Sequence, residues 1–342
     1  MHRHMVVPVC ILAVVLGAAC NILGSEEDDT PDNSGGECLE VILKGDFVIE
    51  TELGAHALEI RGGCQYGIDG NLIIRNTRMH SLVTLSGLAY VTGDLMIYRN
   101  DQLVTLEDLK KLRRVDGNLT IRDNDKLEHL GLSELTTVEG SLIVDSNTRL
   151  VRLDGFHELV NVGQNLTIQY NPKLENIEDL SSLRHLGRHL VIERNAMLTD
   201  LDGLYGLSAI SGNMVIGTNS MLEDVSGLSN LTEVRGNLRI HHCDQLTTLA
   251  GLSSLNSVAG DLAIYSNPRL SGLEGLGNLR SVGATLSIND NRSLISLDGL
   301  LRLNHVGQKL AIMDNRRLPT SQAYALAERI AVSQVIITGN RD

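Results

Sequence analysis

The sequence of 342 residues has no tryptophan and only two phenylalanines, and aromatic residues make up 3% of it. Its apolar residues are mainly Leu, Ile and Val, which is typical of a narrow aliphatic core. Basic residues are outnumbered by acidic ones, and the net charge of −13 argues against nucleic acid and against electrostatic docking on an anionic membrane. An apolar run over residues 5–19 is shorter than the roughly 20 residues that a bilayer-spanning helix needs.

Catalytic motifs are also missing from the sequence. It has no nucleotide-binding loop, no Ser/His/Asp or Cys/His arrangement with usable spacing, and no zinc motif. The run His241-His242-Cys243-Asp244 contains ligand-type residues, but neighbouring strand residues point to opposite sides and would not converge on one ion. We therefore predict a protein that is not an enzyme and holds no metal and no cofactor.

The unit over residues 260–282 shows the pattern that most of the chain repeats. Leu262 and Ile264 are two residues apart, which is the spacing of a strand with one buried face. Further apolar residues then follow at intervals of three: Leu270, Leu273, Leu276, Leu279 and Val282. An α-helix would spread such a series around its surface, so the spacing predicts a coil that turns corners around one axis.

The units recur with a period of 23 to 25 residues. They open on Gly45, Gly70, Gly93, Gly117, Gly140, Gly163, Gly187, Gly212, Gly236, Gly260, Gly283 and Gly307. This pattern predicts an all-β fold, a right-handed parallel β-helix or solenoid of about twelve rungs, in a single domain over residues 38–342. Both ends of the solenoid need caps. We predict a disulfide-closed N-terminal cap over 38–69 and a C-terminal cap over 319–342, in which Pro319-Thr320-Ser321 starts a short helix.

A polar residue follows each strand core three positions later. It is usually Asn: Asn100, Asn124, Asn147, Asn171, Asn195, Asn219, Asn267, Asn291, Asn315 and Asn340. Asn can turn the chain and bond to its copies in neighbouring rungs, so the column predicts an internal Asn ladder. Thr77 and Cys243 stand in the same column, and we expect Cys243 to be a buried thiol.

The N-terminus is typical of an exported protein. Residues 1–19 read as a signal peptide, with basic residues before a short apolar run and small residues before Cys20. The stretch resembles a bacterial lipoprotein signal peptide, which would make Cys20 the lipid-accepting residue and anchor the protein at the outer membrane or cell surface. Ordinary cleavage after Ala19, giving a secreted protein, is the alternative. The acidic residues 20–37 predict a disordered tether.

Two cysteines flank the first coil. In an exported protein Cys38 and Cys64 are expected to pair, which would close a loop of about 26 residues and stabilise the fold by about 3 kcal/mol through the unfolded state. Two reduced and buried thiols are the alternative.

The segment Cys64-Gln-Tyr-Gly-Ile68-Asp-Gly70-Asn-Leu72-Ile-Ile74 carries a family resemblance. It resembles the receptor L domain, the ligand-binding β-helix module of insulin-receptor and EGF-receptor ectodomains. The resemblance implies a binding module, without receptor signalling, because furin-like modules, a kinase and a second lobe are missing from the sequence. An ordinary leucine-rich repeat is the competing interpretation, but its Leu follows Asn by two positions, whereas here Leu127 follows Asn124 by three.

Outward strand positions are the candidate binding face. They include Met96, Tyr98, Thr120, Arg122, Ile143, Thr167, Val191, Arg239, His241 and Tyr265. One column of these positions is more apolar than a solvent-exposed strand face usually is, which favours contact with a protein or glycan ligand. Two alternatives stay open: a polysaccharide-acting enzyme that uses Asp290 and Asp314 on adjacent rungs, and a purely structural envelope component.

Overall fold

The computed structural model describes residues 41–342, and these form a parallel β-helix. The described residues belong to one compact unit. The predicted signal peptide, Cys20, the tether and Cys38 lie outside the described residues, so the predictions made for them stay predictions.

Thirteen parallel strands form one sheet, which we call the long sheet. Its strands are Phe47–Ile49, Leu72–Arg75, Leu95–Tyr98, Leu119–Arg122, Leu142–Asp145, Leu166–Gln169, Leu190–Glu193, Met214–Gly217, Leu238–His241, Leu262–Tyr265, Thr285–Asn289, Lys309–Met313 and Gln334–Thr338. The aliphatic-x-aliphatic cores stack in register, as Leu95 on Leu119 and Ile97 on Ile121 show. The predicted parallel sheet and solenoid are therefore confirmed.

Two further parallel sheets close the coils on another side. The first short sheet contains Val41–Lys44, Tyr66–Asp69, Leu88–Val91, Arg114–Val115, Thr137–Val138, Asn161–Val162 and His185–Leu186. The second short sheet contains Ala209–Ile210, Glu233–Val234, Ser257–Val258, Ser281–Val282 and His305–Val306. Most of these strands are two residues long, too short to produce an alternating pattern in the sequence.

Short 3-10 helices explain the apolar spacing of three. They span Val83–Leu85, Glu107–Leu109, Glu178–Leu180, Asp202–Leu204, Ser226–Leu228, Ala250–Leu252, Glu274–Leu276 and Asp298–Leu300. A 3-10 helix has 3.0 residues per turn, so residues three apart face the same side. In the unit over residues 260–282 the helix Glu274–Leu276 covers one step of this spacing, from Leu273 at its N-cap to Leu276. Leu270 and Leu279 continue the spacing in the turns on either side, and all four Leu residues are 0% exposed.

The Asn ladder is confirmed and runs inside the corner after the long sheet. Asn171 Oδ1 accepts from the backbone N–H of Asn147 at 3.0 Å, and Asn171 Nδ2 donates to Val144 O at 3.0 Å. Thr77 joins through its hydroxyl, which donates to Asn100 Oδ1 at 3.0 Å. Cys243 is buried in the same column, as predicted.

A second polar ladder, which the sequence analysis missed, lies at the corner before the long sheet. Its members follow the opening glycine by one position, as Asp94 and Asn118 do, or by two, as Asn165 and His189 do. Asp94 Oδ1, for example, accepts from the backbone N–H of Asn118 at 2.7 Å, and Asn118 Oδ1 accepts from that of Ser141 at 2.8 Å. From the coil of Asp46 to that of Thr285, side chains at this corner hydrogen-bond neighbouring coils in addition to the Asn ladder.

Helices lie at both ends of the solenoid. The predicted C-terminal helix, which we name α2, spans Thr320–Arg329 and buries Ala323 and Leu326. A helix that the sequence analysis missed, α1, spans Glu52–Gly62 in the first coil, where Thr51 Oγ1 accepts from Gly54 N–H at 3.2 Å. The fold is therefore all-β with a helix at each end, because α1 corrects the expectation of a single C-terminal helix.

Candidate functional site

All ten predicted binding-face residues lie on the outer face of the long sheet, in two parallel rows. What we call the apolar row contains Ile73, Met96, Thr120, Ile143, Thr167, Val191, Val215, Arg239, Ala263, Ser287 and Ala311. What we call the polar row contains Arg75, Tyr98, Arg122, Asp145, Gln169, Glu193, Gly217, His241, Tyr265, Asn289 and Met313. The pleat points both rows away from the core, because the residues that alternate with them along each strand, such as Leu119 and Ile121, are buried.

The apolar row gives the sheet a flat surface of small and aliphatic side chains. Met96, Ile143 and Val191 are half-buried by their neighbours in the row. Arg239 is the one charged residue in the row and is exposed. Thr120, Thr167 and Ser287 also belong to the row, so it is mostly but not continuously apolar. A mostly apolar strip beside a polar one is the arrangement found in protein-binding surfaces.

An aromatic residue held between two arginines marks one part of the polar row. Arg122 places its guanidinium carbon 5.4 Å from the centroid of the Tyr98 ring, and Arg75 Nη1 donates to the Tyr98 hydroxyl at 3.2 Å. Arg75 Nε also donates to Glu50 Oε1 at 2.9 Å. Tyr and Arg are enriched in interfaces because they combine a large contact area with directional polar groups. This Arg–Tyr–Arg stack is therefore a preformed contact point beside the apolar row.

A second cluster joins residues from four consecutive strands of the long sheet. Glu193, Gly217, His241 and Tyr265 follow one another in the polar row. Gly217 has no side chain, so the His241 ring lies over it, and a Cβ added at Gly217 would clash with that ring. His241 Nε2 thereby comes within 3.3 Å of Glu193 Oε1.

Aromatic stacking holds the His241 ring on its other side. The ring of Tyr265 is parallel to it at a centroid distance of 4.8 Å, and the His241 side chain is only 12% exposed. Burial lowers the pKa of His241, against the opposing effect of the Glu193 carboxylate, and neighbouring His242 adds to the lowering. The neutral form of the imidazole is therefore favoured.

His242 does not point away from His241. The expectation that these two side chains lie on opposite sides of the strand is therefore wrong. The His242 backbone has φ of 52°, in the left-handed region, so the strand alternation ends at His241. The two rings are edge to face with centroids 5.3 Å apart, and their Nδ1 atoms are 3.1 Å apart. Cys243 is turned into the core instead, where burial raises the pKa of its thiol to about 12.

Asp290 and Asp314 lie in the column of left-handed residues that precedes the Asn ladder, as does Asp123. The predicted placement on adjacent rungs is confirmed, because Asn289 pairs with Met313 immediately before them. Asp290 accepts from the Ser266 hydroxyl at 3.2 Å and from Arg292 Nε at 3.3 Å. These contacts give Asp290 a role in the corner of the coil.

Surface depressions lie away from the centre of the sheet face. One of about 400 Å³ is lined by residues of the 3-10 helix side, including Asp179, Asp202 and Tyr205. Burial, with a smaller effect of Asp154, raises the pKa of Asp179 there. Within residues 41–342, no helix is long and apolar enough to cross a membrane, and no group of three or more His, Cys, Asp or Glu could hold a metal ion.

Cys64 is disulfide-bonded, whereas Cys243 is a free thiol. The partner of Cys64 is not among the described residues, so its assignment as Cys38 stays a prediction.

Comparison with known proteins agrees with the architecture. The family model of the receptor L domain matches residues 63–160 and 208–302, which is more than half of the chain. The two matches lie within one uninterrupted long sheet. No curated protein matches the sequence. Receptor L domains are non-enzymatic ligand-binding modules with protein ligands. The chain belongs to the receptor L domain family.

Proposed function

We propose that this protein is a cell-surface binding module whose outer long-sheet face binds a protein ligand. In this proposal the protein is exported, lipidated at Cys20 and held at the bacterial surface, and the solenoid serves as a rigid support. The apolar row provides the buried centre of the contact and the polar row provides its border.

One observation carries the proposal: the Arg75–Tyr98–Arg122 stack stands beside a half-buried apolar strip. Binding energy in interfaces concentrates in Tyr and Arg side chains at well-packed positions that water leaves on binding. The stack is held in place before binding, so little side-chain entropy is lost when a ligand covers it. A protein surface with apolar side chains and carboxylates would complement these three residues.

The experiment compares two matched Arg–Tyr pairs on different faces of the solenoid. Arg122 lies 5.4 Å from the Tyr98 ring on the long sheet, and Arg114 lies 5.6 Å from the Tyr90 ring on the first short sheet. The purified protein and the variants Arg122→Glu and Arg114→Glu are applied to protein and glycan arrays. We expect saturable binding to a protein that Arg122→Glu weakens at least tenfold and Arg114→Glu leaves unchanged.

Other outcomes would change the conclusion. Saturable binding to a glycan, with the same loss in Arg122→Glu, would replace the protein ligand by a glycan. Equal binding by both variants would remove the long-sheet face from consideration. The anchor is tested separately by feeding cells a fatty-acid probe, since the Cys20→Ser variant is expected to lose the label that the wild type takes up.

A further inference from the structure

The rings of His241 and His242 present two nitrogen atoms side by side on the outer face of the long sheet. Their Nδ1 atoms are 3.1 Å apart, His242 is exposed, and the rings are almost perpendicular at 87°. Cys243 takes no part, because its thiol is buried and lies 3.5 Å from the His241 carbonyl oxygen.

The position of Glu193 favours one tautomer of His241. A carboxylate only accepts, so an Oε1 atom of Glu193 at 3.3 Å from Nε2 of His241 favours the tautomer with its proton on Nε2. In the neutral ring Nδ1 is then left with a free lone pair, and that lone pair is on the side of His242.

The 3.1 Å contact is a hydrogen bond in which Nδ1–H of His242 donates to Nδ1 of His241. In the other neutral tautomer of His242, with the proton on Nε2, both Nδ1 atoms carry lone pairs, and their spacing fits a metal ion. With metal–nitrogen bonds of about 2.0–2.1 Å, two nitrogens 3.1 Å apart subtend an angle of about 100° at the metal. This value lies between the angles of octahedral and tetrahedral coordination. A His ligand that donates its other N–H to a carboxylate is the usual arrangement in protein metal sites, and here Glu193 is that carboxylate.

We propose that His241 and His242 chelate one divalent late first-row transition-metal ion, copper(II) by preference, through their two Nδ1 atoms. Imidazole suits copper, nickel and zinc, and copper(II) binds most tightly in this series. The described residues hold no group of three or more candidate ligands, so water fills the other positions and the ion exchanges readily. Glu193 orients the His241 ring, and Gly217 leaves the room that this orientation needs.

The test is a calorimetric titration of the purified protein with Cu²⁺, followed by electron paramagnetic resonance of the bound ion. We expect saturable binding that includes one equivalent coordinated by two imidazole nitrogens. The variant His242→Asn should lose that equivalent, because Asn tolerates the left-handed backbone at this position but replaces the imidazole. Glu193→Ala should weaken the binding about 10–100-fold, which is the usual effect of removing the carboxylate behind a His ligand.

His305→Ala provides the control, because His305 is an exposed histidine on the second short sheet. It should bind copper as the wild type does, and far-ultraviolet circular dichroism should show the same fold in every variant. Wild-type stoichiometry and nitrogen coupling in His242→Asn would overturn the proposal. An unchanged affinity in Glu193→Ala would overturn the role given to Glu193. Because the titration uses the metal alone, its outcome is independent of whether the sheet face binds a protein ligand.

Discussion

Replacing Asn171 by alanine would remove a side chain that bonds to the preceding coil and, through Nδ2 and Asn195 Oδ1 at 3.4 Å, to the following one. Its Oδ1 accepts from the Asn147 N–H at 3.0 Å, and its Nδ2 donates to Val144 O at 3.0 Å and to Gln169 O at 2.9 Å. The side chain is 0% exposed, so its partners are shielded from bulk water. In Asn171→Ala, at least the Asn147 N–H and the Val144 carbonyl would lose this partner.

The expected cost follows from the number of buried groups that lose a partner. Each buried donor or acceptor left without one costs about 1–3 kcal/mol, so two of them predict a loss of about 2–6 kcal/mol in the free energy of unfolding. The exposed Asn304 is the control, since Asn304→Ala should change that free energy by less than about 0.5 kcal/mol.

Denaturant unfolding of the wild type and the two variants gives the free energies, and native-state hydrogen exchange locates the effect. In a solenoid each coil contacts only its neighbours, so protection should fall for the amides of the coils next to Asn171 and hold in distant coils. A loss below about 1 kcal/mol in Asn171→Ala, or one equal to that in Asn304→Ala, would refute the reasoning that the ladder is a main source of stability.

Three further predictions follow from the same contacts. Cys243→Asn should raise the free energy of unfolding by about 1–2 kcal/mol in denaturant titrations, because the introduced amide could make the ladder bonds that Asn267 makes one coil later. A lower free energy of unfolding would contradict this. The thiol of Cys243, with its pKa raised to about 12 by burial, should react with a thiol reagent at pH 8 only as fast as the protein unfolds; rapid labelling of the native protein would contradict this. Asp179→Asn should raise the melting temperature at pH 7 and leave it unchanged near pH 3. The raised pKa of Asp179 means that ionisation disfavours the folded state only above the carboxyl's unfolded pKa of about 4, so an equal effect at both pH values would contradict this.

Features that repeat in every coil could be predicted from the sequence. The Leu-x-Ile strand cores and the Asn column recur in rung after rung, so their spacing is visible in a single sequence. Their stacking is confirmed by pairs such as Leu238 on Leu262 and by the bond from Asn267 N–H to Asn291 Oδ1. The second ladder also recurs, but its members are Asp, Asn, Ser and His, and this mixture concealed the shared role.

The sequence analysis missed helix α1, a feature that does not repeat from coil to coil. Helix α1 exposes Leu53 and Ile60 while it buries Ala55 and Leu58, so its apolar residues do not form a single stripe in the sequence. The capping signals, Thr51 before the helix and Gly63 after it with φ of 65°, were the evidence that could have identified it.

The arrangement of the His241 cluster shows why the outer face is harder to predict than the core. Glu193 and His241 belong to strands that are not neighbours, and they meet because the strand between them carries Gly217. Side chains of the outer rows do not pack in the core, so the core repeat does not restrict which residues stand there. A glycine in the polar row therefore leaves the core packing unchanged, and it opens a space that neighbouring side chains fill. That glycine was the available signal, since it is the only residue without a side chain in the polar row. In a solenoid the core repeat therefore predicts the β-helix itself. A residue that departs from the pattern of the outer rows, as Gly217 does, indicates where a site can form on its surface.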